Sequence, residues 1–202
     1  MKTALFAALA TTLIAVVVTP ALGTTPTAGA HARRACTITD QDGSATRMLT
    51  GTSGNDVICG LRGRDKIDGR GGDDVIFGGG GKDVIYGGSG SDRILGGPGK
   101  DHLGGGNGSD IVRGGPGRDQ LGGKDQGRDW YVGGPGADLI YGTDGPDVLR
   151  GGPGDERCLW AEDGRGDDRI YGGDGVDTFE SDAHDDVNAE NALDCIPIDG
   201  EA

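Results

Sequence analysis

Aromatic residues are scarce in this chain, at 4% of 202 positions. Large packed interiors lean on such residues, so no bulky conventional core is expected. Histidine occurs only at 31, 102 and 184. Neither HExxH nor GxSxG is present, which removes the usual carriers of zinc-protease and hydrolase chemistry. After Val18 no apolar run is long enough to cross a bilayer. Basic residues are outnumbered 19 to 33 by acids, for a formal net charge of −14. Such a body repels nucleic acid and anionic lipid and attracts cations or a basic partner. Glycine is the abundant residue, at 44 copies. That many glycines argue against helices, and the absence of a Gly-X-Y period excludes collagen.

The first thirty residues read separately. Lys2 precedes a run of apolar residues and threonines from Ala4 to Val18, and Ala28-Gly29-Ala30 supplies a small-x-small pattern. Ala21-Leu22-Gly23 is a second site of that kind. This is the layout of a secretory signal peptide over 1–30, with a run too short to serve as a membrane anchor. The expected location is extracellular. Four cysteines, at 36, 59, 158 and 195, form an even set in such a chain, so disulfides are expected. Three pairings are open. The expected one joins Cys36 to Cys59 and Cys158 to Cys195, one staple at each end of what lies between. Zinc sites use closer pairs.

What lies between is a repeat of nine. From Gly51 the chain runs GTSGNDVIC, GLRGRDKID, GRGGDDVIF, GGGGKDVIY, GGSGSDRIL, GGPGKDHLG, GGNGSDIVR and GGPGRDQLG. The sixth slot holds Asp56, Asp65, Asp74, Asp83, Asp92, Asp101, Asp110 and Asp119 without a slip. One extra residue enters in GKDQGRDWYV, and the series resumes at Asp129, Asp138 and Asp147. Two later copies place Asp168 and Asp177 in the same slot. Compositional bias yields many glycines but not this phase-locking. Glu156 also falls in a sixth slot, where the pattern is interrupted around Cys158-Leu159-Trp160, and it is left out of the ligand set.

The pattern has a chemistry. Ca²⁺ takes 6–8 oxygen ligands from carboxylates and main-chain carbonyls. Glycine turns let backbone approach a ligand closely, and the sixth-slot Asp adds a charged oxygen. Three strand residues follow, with an apolar middle: Ile58, Ile67, Ile76, Ile85, Ile94, Leu103, Val112, Leu121, Tyr131, Ile140 and Leu149. Alternation sends that middle side chain inward. Two nonapeptides make one coil, so repeat n stacks on repeat n+2 at the strand spacing of about 4.8 Å. Ions held between stacked turns would couple folding to binding. At least about six such sites are expected from the unbroken run.

These G-G-x-G-x-D-x-U-x units resemble the RTX family, the haemolysin-type calcium-binding repeats. The resemblance implies an all-β fold, a parallel β-roll with multiple Ca²⁺ ions held at the thirteen sixth-slot aspartates. The expected organisation is a signal peptide (1–30), an N-terminal strap (31–50), the β-roll (51–150), and degenerate repeats with a C-terminal cap (151–202). No catalytic residue is expected, since the segments outside the repeats are shorter than a catalytic domain. The expected function is a secreted Ca²⁺-binding protein with a structural or adhesive role. Alternatives are a Ca²⁺-dependent polysaccharide- or protein-binding module contacting its partner through Tyr86, Tyr141 and Trp130, or an accessory module of the kind found with secreted hydrolases and epimerases.

Finer expectations follow from parity. Outward residues of the odd repeats, including Val57, Cys59, Phe77, Leu95 and Trp130, are more apolar than those of the even repeats. A strap around Thr37-Ile38-Thr39 is expected to cover the first part of that odd face, and the part near Trp130 is expected either to be capped by residues 158–195 or to meet a partner. His102 takes an outward slot and reads as a surface residue. Asp182, His184, Asp185 and Asp186 read as a solvated tail or end cap, in preference to a second metal site. Asn107-Gly108-Ser109 lies inside a metal-binding turn and is not read as a glycan acceptor.

Overall fold

The computed structural model describes residues 36–39, 48–123, 127–161, 168–181, 186–188 and 193–194. Among them every regular element is a strand. The first six are β1 (Ile38–Thr39), β2 (Met48–Thr50), β3 (Val57–Arg62), β4 (Lys66–Gly71), β5 (Val75–Gly80) and β6 (Val84–Ser89). Then come β7 (Arg93–Leu95), β8 (His102–Asn107), β9 (Ile111–Arg113), β10 (Gln120–Gly122), β11 (Trp130–Val132) and β12 (Leu139–Tyr141). The series closes with β13 (Val148–Pro153), β14 (Cys158–Ala161), β15 (Arg169–Asp174), β16 (Thr178–Ser181), β17 (Asp186–Asn188) and β18 (Leu193–Asp194).

Parity sorts them. Odd strands form one nine-stranded sheet and even strands another, and all the pairings are parallel. Ile58 faces Ile76 and Ile67 faces Ile85, each two repeats on. Later registers lengthen to Val112 beside Tyr131 and Leu149 beside Ile170. Extra residues are thus absorbed without shifting any side chain to the wrong face, which a one-residue slip would do. The extra residue of GKDQGRDWYV falls between Gly123 and Gly127, outside the described residues. The chain is a parallel β-roll, as its period predicts.

The core is two files of side chains meeting between the sheets. All eleven expected middle residues are buried, with Leu159 and Ile170 continuing the files. Burying each aliphatic side chain contributes about 1.5–3 kcal/mol. Each coil has only two of them to set against the entropy of some eighteen ordered residues at about 1–2 kcal/mol each. A further source of stability is required.

Cys36 and Cys59 are bridged, with Cα atoms 6.0 Å apart. Cys158 is also disulfide-bonded; Cys195, its expected partner, lies outside the described residues, as does the expected leader. The strap behaves differently from expectation. Ile38 pairs with Ile58 and Thr39 with Cys59 in the sheet ladder, so this segment extends the odd sheet at its edge instead of lying across its outer face. Its main-chain hydrogen bonds are better met by the open sheet edge. Residues 158–161 and 169–174 likewise extend the two sheets, and Trp130 remains 48% exposed. Among the described residues no helix is long and apolar enough to cross a membrane.

Candidate metal centre

The turns stack in two columns. One carries Asp56, Asp74, Asp92, Asp110, Asp129, Asp147 and Asp168; the other carries Asp65, Asp83, Asp101, Asp119, Asp138 and Asp177. All thirteen are buried. Their order along each column is fixed by one repeated hydrogen bond. The backbone N–H of Asp56 donates to Oδ1 of Asp74 at 2.8 Å, that of Asp74 to Asp92 at 2.8 Å, and that of Asp92 to Asp110 at 2.8 Å. The same bond links Asp65 to Asp83, Asp83 to Asp101 and Asp101 to Asp119. From Asp74 in one column and Asp83 in the other, each of these carboxylates therefore spends Oδ1 on the neighbouring coil.

Oδ2 is the informative atom. On Asp74, Asp83, Asp92, Asp101, Asp119 and Asp138 it is buried with no hydrogen-bond partner. A buried carboxylate oxygen left unpaired is costly, and a run of six is not a packing accident. Beside these oxygens the glycine carbonyls point along the stack. A Cβ on Gly78 would sit 2.6 Å from both Oδ2 of Asp83 and the Gly96 carbonyl oxygen, and one on Gly87 would sit 2.4 Å from Oδ2 of Asp92 and 2.3 Å from the Gly105 carbonyl oxygen. Only a glycine leaves room for such an oxygen. Among the described residues no three Asp, Glu, His or Cys side chains converge on a point. The donor set is thus a carboxylate with carbonyls, all oxygen, which suits Ca²⁺ and not Zn²⁺.

Electrostatics agree with the geometry. Burial pushes the carboxyls of Asp92, Asp101 and Asp138 up to about 6 and that of Asp119 to about 7, against the lowering effect of the backbone N–H bond from the coil before. For Asp92, Asp101 and Asp119, aspartates in adjoining coils raise it further. Asp74 and Asp83 move upward for the same first cause. A column of like charges one coil apart is unfavourable unless a cation intervenes.

Three aspartates are satisfied otherwise. Thr52 donates its backbone N–H and its hydroxyl to Oδ2 of Asp56 at 2.7 and 2.9 Å. Thr143 repeats the arrangement on Asp147 at 2.7 and 3.0 Å and also reaches Oδ2 of Asp129 at 3.3 Å. The buried Tyr131 hydroxyl donates to that same Asp129 oxygen at 3.0 Å. Both threonines occupy the second slot, where regular repeats carry glycine. Thr143→Ala is expected to lower stability by about 2 kcal/mol, the scale of hydrogen bonds to a charged group. Urea midpoints in saturating Ca²⁺ measure this, and Thr143→Ser should restore most of the loss. A serine variant as weak as the alanine one would remove the hydroxyl from the explanation.

Sequence reasoning passed over Glu156. Its side chain is 2% exposed and occupies the column between Asp138 and Asp177. Burial, then a hydrogen bond and the charge of Asp177, push its carboxyl up to about 9. The signal was its place in the sixth slot of GGPGDERCL. Tyr86 and Tyr141 lie on the even sheet, whereas Trp130 lies on the odd one, so these three cannot form one contact surface. Asp182, His184 and Asp185 lie outside the described residues, and Asp186 opens β17.

Fold and site together define a solenoid whose turns are built to hold hard cations. The RTX calcium-binding nonapeptide repeat model matches four times, over residues 50–85, 86–121, 125–157 and 160–187. The chain belongs to that family. No curated protein and no solved structure matches it.

Proposed function

We propose that this is a secreted, non-enzymatic Ca²⁺-binding protein whose folding depends on the ion and whose role outside the cell is structural or adhesive. The observation that carries the reading is the run of six buried aspartate Oδ2 atoms without partners. Bound Ca²⁺ would supply the positive charge those oxygens call for. Asp74, Asp83, Asp92, Asp101, Asp119 and Asp138, with the glycine carbonyls of their turns, are the best-supported ligands. Asp65, Asp110, Asp168 and Asp177 belong to the same columns. At Asp56, Asp129 and Asp147 protein donors already occupy Oδ2, so those turns hold their shape with less help from metal. Export is supported by the leader-like first thirty residues and by the Cys36–Cys59 bridge, since disulfides persist in oxidising compartments. Extracellular Ca²⁺ suits modules that bind at about 10⁻⁴–10⁻³ M.

The test is far-UV circular dichroism of residues 31–202 through a Ca²⁺ titration, with Mg²⁺ as control. A coil-to-β transition driven by Ca²⁺ and reversed by chelator is expected. A chain equally β-structured in chelator, or unfolded at millimolar Ca²⁺, would overturn the proposal.

A further inference from the structure

The outer face of the even sheet carries an open cleft of about 1440 Å³. Its shape follows from one slot. On successive even strands, the last outward position reads Tyr86, Gly104, Gly122, Tyr141 and Trp160. Two glycines therefore make a floor between aromatic walls. From β6 to β12 is three strand spacings, about 14 Å. The glycines also set how the walls lie. A Cβ on Gly104 would meet Cδ1 of Tyr86 at 3.0 Å, and one on Gly122 would meet Cβ of Tyr141 at 3.0 Å. The Tyr86 ring thus leans over Gly104, while at Gly122 the nearest ring atom of Tyr141 is Cδ2 at 3.5 Å. Tyr141 is backed by Trp160 at 6.3 Å between ring centroids, with the planes 38° apart.

The remaining lining decides the ligand. His102 and Gln120 project beside the floor, and Asn107 and Asp144 come from the adjoining turns. These groups donate and accept hydrogen bonds in the way sugar hydroxyls require. Among the described lining residues there is no Lys or Arg; Lys82, Lys100, Arg118 and Arg157 line a separate, smaller cavity beyond His102 and Gln120. An anionic glycan therefore finds no cation between the aromatic walls, where a neutral one needs none. The floor's backbone is already paired within the sheet, so a peptide cannot add to it as a strand.

We propose that this cleft binds a neutral polysaccharide, which runs along the solenoid axis across β6 to β12. Tyr86 at one end and Tyr141 with Trp160 at the other stack against the C–H faces of sugar rings, while Gln120 and His102 bond hydroxyls between them. The cleft exceeds the range of about 300–1,000 Å³ usual for a small-molecule pocket, as a chain ligand needs.

The test is affinity electrophoresis of the folded full chain in gels containing hydroxyethyl cellulose, laminarin or galactomannan, with alginate as the anionic control. The β signal of each sample is recorded, so loss of the fold and loss of the cleft are told apart. Retardation by at least one neutral polymer and little by alginate is expected. Tyr86→Ala should weaken it about tenfold or more, equivalent to about 1.4 kcal/mol, and Trp160→Ala should do the same. Trp130→Phe, on the opposite sheet, should leave it unchanged. Tyr86 is 51% exposed, so its variant remains informative if Trp160→Ala fails to fold. No retardation in any neutral polymer overturns the proposal. So does equal retardation by alginate, or undiminished binding by a folded Tyr86→Ala.

Discussion

Gly81→Ala is expected to unfold the middle of the solenoid, while Gly80→Ala, one residue away, leaves it intact. Gly81 has φ +142°, and a Cβ there would lie 1.6 Å from the Gly63 carbonyl oxygen of the coil below. That backbone conformation alone costs a non-glycine residue about 1–3 kcal/mol. Contact with a main-chain oxygen adds to it, because the oxygen can yield only if two coils separate and the turn opens. A total loss of at least about 3 kcal/mol is expected. At Gly80 nothing lies within 4 Å of the added carbon, and the change should be neutral or stabilising by up to about 1 kcal/mol through the unfolded chain. Urea unfolding of both variants in saturating Ca²⁺ makes the comparison. If Gly80→Ala proved as damaging as Gly81→Ala, general glycine loss and not the stacked carbonyl would be responsible.

The same stacking explains why so much was legible in the sequence. A nine-residue period with Asp in a constant slot fixes coil length, column membership and core file at once. Ile58 through Leu149 could therefore be placed inside before any coordinates. Parity carried more than was taken from it. Trp130 sits in an odd repeat, Tyr86 and Tyr141 in even ones, and that alone separates them onto opposite sheets. Trp160 joins Tyr141 because the interrupted repeat around Cys158 still stacks, as Glu156 in its sixth slot could have signalled. Two things were not readable. One is the edge pairing of Ile38 and Thr39, which lie outside the period and could as well have crossed the face. The other is the second-slot threonines. Thr52 and Thr143 look like ordinary variation in a glycine slot, as do Leu61 and Arg70. Yet Leu61 and Arg70 keep the left-handed turn at φ 84° and 75°, while the threonines turn N–H and hydroxyl onto the aspartate. Only the three-dimensional turn distinguishes these outcomes.

Asp92→Asn should have opposite effects with and without Ca²⁺, and this reversal is the sharpest consequence of the site's geometry. The asparagine keeps an oxygen for the Asp74 N–H that now bonds Oδ1 at 2.8 Å, so the ladder between coils survives. It removes the negative charge from a buried Oδ2 that has no protein partner. In chelator that charge opposes folding, through its own burial and through repulsion from Asp74, so the variant should retain more β signal than the parent. With Ca²⁺ present the same charge is what the ion needs, so the titration midpoint should rise about tenfold, equivalent to about 1.4 kcal/mol. Asp92→Ala lacks the oxygen as well and leaves the Asp74 N–H buried and unpaired; it should lose stability in both conditions. Circular dichroism of the three proteins, with Ca²⁺ and with chelator, reads the pattern directly. Equal destabilisation of Asp92→Asn in both conditions would mean that the carboxylate serves only the ladder, and the buried oxygens would need another explanation than a bound cation.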